Sequence, residues 1–106
     1  MKPMTIVLAL AFAGGAVAAF AAERSIMQKG KTFSASAVTI KKGDSLMFVN
    51  DDTIAHNILS TAPGNEFNLG SQAPGVSTPV TFKKSGEVAV LCAIHPRMKL
   101  MVTVTE

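Results

Sequence analysis

VAVLCAIHPRMKLMVTV, Val88 to Val104, contains two strand-like halves separated by the loop CAIHPRM. Side chains two apart on a strand share a face. Val88 and Val90 are apolar and in phase with Cys92, which turns that thiol inward at the end of the first half. In the second half Leu100, Val102 and Val104 form the apolar set, and Met98 lies in phase with them. Met101 shares parity with Thr103 and Thr105 and is expected to face outward. Cys92 and Met98 therefore point into one interior, with His95 at the apex of the loop between them.

Working outward, the chain continues to read as short strands and turns. Phe33 to Ile40 (FSASAVTI) is a strand of small and β-branched residues, and Ser45 to Asn50 (SLMFVN) a strongly apolar one. Asn50-Asp51-Asp52 breaks the latter, and Ile54 to Leu59 (IAHNIL) resumes. Ser60 to Gly75 is loop-like, with two prolines and three glycines. Strands are then expected at Thr78 to Phe82, Glu87 to Leu91 and Lys99 to Thr105. The segments TIKKGD (Thr39 to Asp44) and TFKKSGE (Thr81 to Glu87) repeat one turn chemistry, with solvated lysines. With no amphipathic helix in this region, the pattern predicts an all-β sandwich.

Ahead of these strands, Lys2 is followed by an apolar run, Thr5 to Ala22, that ends in small residues. That is the pattern of a secretory leader, with small-x-small sites at Ala16-Val17-Ala18 and Ala19-Phe20-Ala21. The expected organisation is a signal peptide over residues 1–21 and one domain over residues 22–106. The competing reading is a membrane anchor, since about 18 apolar residues just span a bilayer. Gly14-Gly15 and the alanine content make this a weak span.

The formal net charge is +3, and loss of Lys2 with the leader leaves 3 − 1 = +2. Without long basic runs, that balance excludes a nucleic-acid partner. An exported domain this small often relies on disulfides, but one cysteine cannot form one within the chain. A ligated metal would both protect the thiol and staple a small core.

The second histidine, His56, is in phase with Ile54 and Ile58 and is expected to face inward near a strand end. His56, Cys92, His95 and Met98 could therefore meet at one pole of the sandwich. Two imidazoles, a thiolate and a weakly held thioether suit copper; a trigonal His₂Cys set with an axial Met is the blue-copper arrangement. Zinc is a poorer match, because methionine is a weak zinc ligand. Each residue alone has an ordinary reading: a buried thiol, a core-filling methionine, a satisfied imidazole. A nucleophilic Cys–His pair is the other chemical option, but no third orienting group stands out.

At these residues the chain resembles the cupredoxins, the small blue copper proteins. GDSLMFVNDDTIAHNIL (Gly43 to Leu59) is similar to the family's first ligand segment, and FKKSGEVAVLCAIHPRM (Phe82 to Met98) to its second. The Cys-x₂-His-x₂-Met spacing matches the short loop of the amicyanins; pseudoazurins and plastocyanins have longer ones. Ala93-Ile94 departs from the Thr-Pro pair usual in amicyanin-like loops. The resemblance implies a Greek-key β-sandwich of about seven to eight strands. It also implies His56, Cys92 and His95 as equatorial ligands and Met98 as the axial ligand of one type 1 copper. Asn57 would be the residue that ties the two ligand loops together.

The same resemblance implies a periplasmic electron carrier, a monomer and not an enzyme. Its redox partners would be a c-type cytochrome or a periplasmic dehydrogenase or reductase. No stable membrane association would follow leader cleavage. Electrons would pass through the exposed ring edge of His95, framed by Ile94, Pro96 and Pro63, with Arg97 placed to steer an acidic partner. Both histidines are assigned to one site, so none is left for the separate catalytic copper of oxidases and nitrite reductases. The alternative is a copper-delivery protein with no carrier role, in which Met101 and Met98 form part of a Cu(I) route.

Overall fold

The computed structural model describes residues 22–106; the expected leader, residues 1–21, lies outside them. Nine strands form two mixed sheets: β1 (Glu23–Lys29), β2 (Thr32–Phe33), β3 (Ala37–Lys41), β4 (Ser45–Asn50), β5 (Ile58–Ser60), β6 (Phe67–Asn68), β7 (Ser77–Thr81), β8 (Gly86–Cys92) and β9 (Lys99–Thr105). One sheet runs β2-β1-β4-β7, the other β3-β9-β8-β5-β6. The pairs β1–β4 and β3–β9 are parallel, and the remaining neighbours are antiparallel. This is the all-β sandwich expected. Seven strands exceed two residues, so the seven to eight strands expected match the longer ones.

The alternation read in the sequence is the alternation observed. Leu46 and Phe48 of β4, Val88, Val90 and Cys92 of β8, and Leu100, Val102 and Val104 of β9 fill the space between the sheets. Phe48 anchors an aromatic cluster, 6.4 Å from Phe33 and 6.0 Å from Phe67 between ring centroids. Burying a side chain of this size contributes about 1.5–3 kcal/mol against leaving it exposed. Both Lys-Lys turns bend at a glycine in a backbone region that other residues avoid, Gly43 at φ 96° and Gly86 at φ 130°.

Three expectations need correction. Phe33 to Ile40 is not one strand, because the chain changes sheets inside it. Ser34 bonds back to Met27 of β1, whereas the Ser36 carbonyl accepts from Met101 of β9. Ile54 to Leu59 is not continuous either. Ile54 is 38% exposed, since residues 51–55 are a turn and the parity of β5 does not extend through it. Finally β1 was not anticipated: only Ile26 and Gln28 point inward from it, too little to show an apolar alternation.

The two-residue connection between β1 and β2 also matters for the site. Gly30 (φ 63°) and Lys31 (φ 62°) both adopt left-handed backbone angles, the geometry of a type I′ hairpin turn. For lysine that conformation costs about 1 kcal/mol. The Lys31 amide is held by a hydrogen bond, donated to Asp52 Oδ2 at 3.1 Å.

Candidate metal centre

At the pole where β8 ends, the buried residues turn polar. Gln28 of β1 pairs with Asn50 of β4 in the ladder, and both are completely buried. Gln72 is buried beside them, accepting from Gln28 Nε2 at 3.0 Å and donating to the Phe48 carbonyl at 2.9 Å. Asn50 holds the turn that follows it: Nδ2 donates to the Ile54 and Gln72 carbonyls, and Oδ1 accepts from the Asp52 amide. Buried amides hydrogen-bonded in this way fix a backbone that no regular ladder fixes.

That scaffold seats His56. Its backbone exchanges two hydrogen bonds with Gln72, at 3.1 and 2.7 Å, in a bridge just ahead of β5. The imidazole is fully buried, and Nε2 lies 2.9 Å from Asp52 Oδ2. Nδ1 is thereby left facing Cys92 Sγ, 3.7 Å away. Cys92 Sγ also lies 3.8 Å from His95 Nδ1, and the two imidazole rings meet edge to face at 5.0 Å.

One donor atom from each of His56, Cys92 and His95 lies within 4.8 Å of the others. A trigonal ion with bonds of about 2.3 Å to sulfur and about 2.0 Å to nitrogen needs sulfur–nitrogen separations of about 3.7 Å. The two observed separations fit that requirement. Met98 is 1% exposed, in phase with Leu100, and its amide donates to the His95 carbonyl at 3.0 Å, closing the loop. The structure thus brings three of the four expected residues into contact and buries the fourth beside them in sequence. Met101 is half-buried on the other face of β9, so it does not share Met98's direction.

The thiol is prepared for ionisation. Burial pushes its pKa up, but the Asn57 amide, the two imidazoles and the Ile94 amide outweigh that and lower it to about 6. Asn57 does join the two ligand segments, though through its backbone. Its amide points at Cys92 Sγ from 3.4 Å and its carbonyl accepts from Ala93, whereas its side chain bonds Asn68. Asp52 is held well down, to about 2, by the His56 ring and the Lys31 and Thr53 amides.

Of the three donors only His95 reaches the surface. It opens into a shallow depression lined by Ile94, Pro96, Arg97, Lys31 and Thr32, in which Ile94 is 52% exposed. Pro63 is not part of this rim. Its neighbour Gly64 packs against Lys84, and Asn65 bonds Lys83 and Lys84 at the start of β8, whereas the site is at its end. The hairpin residues Lys31 and Thr32 line the depression instead. Asp52 and these two residues were missed in the sequence; an acid four residues ahead of His56 was the one available signal.

Comparison with known proteins agrees with this geometry. Residues 20–105 match the family model for copper-binding proteins of the plastocyanin/azurin family. The methylamine utilization protein MauL of Methylorubrum extorquens is 30% identical over 101 residues, covering 94% of this chain and 89% of that protein. Among solved structures, a copper-containing nitrite reductase from Thermus scotoductus superposes with a TM-score of 0.72 at 25% identity, over 79% of this chain. The chain spans only 22% of that reductase. A reduced Cu(I) form of an amicyanin variant superposes with a TM-score of 0.69 at 21% identity, covering 77% of this chain and 81% of the amicyanin.

Proposed function

Because the chain belongs to the plastocyanin/azurin family of copper-binding proteins, we propose that it is a periplasmic electron carrier. The residues that would hold copper in this reading are His56, through Nδ1, Cys92, through Sγ, and His95, through Nδ1, and the Met98 thioether would be a weak further donor. Copper bound there supplies a one-electron Cu(II)/Cu(I) couple. The observation that carries the reading is the clustering of three donors within 4.8 Å, two of them buried and one half-exposed.

The protein's part is rigidity and access. His56 is pinned at its backbone by Gln72 and at its ring by Asp52. Cys92 is fixed by the Asn57 amide, and its lowered pKa presents a thiolate at neutral pH. Ligands held in this way change position little between redox states, which keeps reorganisation small. His95, beneath Ile94 and Pro96, is the port through which electrons enter and leave, by contact with a c-type cytochrome or a periplasmic dehydrogenase or reductase. Residues 1–21 act as a leader removed on export. The mature domain works as a monomer, without enzymatic activity of its own. None of the described residues forms a helix long and apolar enough to cross a membrane.

The test is to add Cu(II) to the purified domain and record visible absorption and paramagnetic resonance spectra. An intense thiolate-to-copper band with narrow hyperfine splitting, absent in Cys92→Ala, supports the carrier. Weak colour with tetragonal copper signals, or copper held only as readily exchanged Cu(I), overturns it in favour of copper delivery.

A further inference from the structure

We propose that Asp52 is a positioning residue that biases the bound copper toward Cu(II), and that it joins the buried ligand to the rim of the electron port. This rests on the ligand reading given above. The carboxylate stands at the crossing of three elements. Oδ2 accepts from His56 Nε2 at 2.9 Å and from the Lys31 amide at 3.1 Å, while Oδ1 accepts from the Thr53 amide at 2.9 Å. Its own amide is held by Asn50 Oδ1. The side chain is only 12% exposed and His56 is fully buried, so the ion–dipole contact is poorly screened.

Two consequences follow from chemistry. A hydrogen bond donated by Nε2 to the carboxylate keeps the ring proton on Nε2, leaving the Nδ1 lone pair toward Cys92 and the metal. A carboxylate at that position makes the imidazole a stronger donor and places a negative charge one ring away from the ion. Both effects favour the higher-charged metal, so the reduction potential is held down. The Lys31 bond extends this to the surface. It secures a left-handed hairpin residue whose side, with Thr32, lines the depression over His95.

The decisive variant is Asp52→Asn, which keeps an oxygen for His56 and Lys31 but gives up the charge and the bond from Thr53. Its Cu(II) affinity is expected to fall about tenfold or more relative to its Cu(I) affinity, within the range found when such outer partners of metal ligands are changed. For a one-electron couple, each tenfold difference raises the potential by about 59 mV. The thiolate band is expected to persist. Equal losses for both oxidation states, or an unmoved potential, would mean a merely structural role and overturn the proposal.

A second measurement needs no variant. In the wild-type protein loaded with diamagnetic Cu(I), nitrogen-15 spectra should place the His56 proton on Nε2; a proton on Nδ1 overturns the proposal. A wild-type protein with no thiolate band removes the ligand reading and this inference with it. A blue wild type whose Asp52→Asn potential stays put removes this inference alone.

Discussion

Asn57 grips Cys92 from both sides of its peptide unit: its amide points at the sulfur from 3.4 Å, and its carbonyl accepts from the following residue, Ala93, at 2.9 Å. The first contact favours the thiolate; the second keeps the sulfur from turning away. Against the effect of burial, the Asn57 amide, the two imidazoles and the Ile94 amide bring the thiol's pKa from an ordinary 9.0 to about 6.

That shift has a measurable sign in the metal-free protein. A folded-state pKa below the unfolded one stabilises the fold fully above the unfolded value and loses that stabilisation as pH falls through the folded value. The stability of the apoprotein is therefore expected to rise between about pH 6 and 9, as read by urea midpoints. Cys92→Ala should lack that component of the slope. Equal slopes in the two proteins would show that the folded environment does not favour the thiolate.

Asn50 offers a second test, because its side chain is completely buried and serves three backbone groups at once. Asn50→Ala leaves the Ile54 and Gln72 carbonyls and the Asp52 amide without that partner. The Gln72 carbonyl is buried and the other two groups are part-buried; an orphaned buried group costs about 1–3 kcal/mol, so a loss of about 3 kcal/mol is expected in urea unfolding of the apoprotein. A loss below about 1 kcal/mol would mean that the turn from Asp51 to Ala55 holds itself.

The legibility of this molecule in its sequence follows how each residue is held. β4 and β9 have the bounds expected, because their inward positions are all apolar or, at Asn50, terminal. Cys92 inherits its direction from β8 and Met98 from β9, so strand parity reached them correctly. His56 faces inward as expected, but for a different reason. Its phase partner Ile54 is exposed, and the Gln72 bridge orients the imidazole instead. Such a bridge joins residues 16 apart through two loops and leaves no periodic trace. Asp52, in the same turn, looked like a strand breaker because acids in turns are common; its role appears only once β1 and its hairpin are beside it. The family resemblance puts Pro63 at the port, whereas Asn65 draws that loop to the opposite pole.

Arg97 and Lys31 make the rim of the port basic, and no acidic side chain lines the depression with them. Long-range attraction through such a rim speeds encounter with anions, and salt weakens it within a Debye length of about 8–10 Å. The prediction uses small oxidants, so that no natural partner need be identified. Oxidation of the reduced copper protein by the hexacyanoferrate anion is expected to slow about tenfold in Arg97→Glu at low ionic strength. The difference should shrink as salt is added, and a cationic cobalt complex should show the opposite trend. Arg97 is exposed and lies outside the proposed ligand set, so the visible spectrum should not change. Identical salt dependence in the two proteins, with either oxidant, would mean that Arg97 only solubilises the loop and that electrons reach His95 without electrostatic guidance from it.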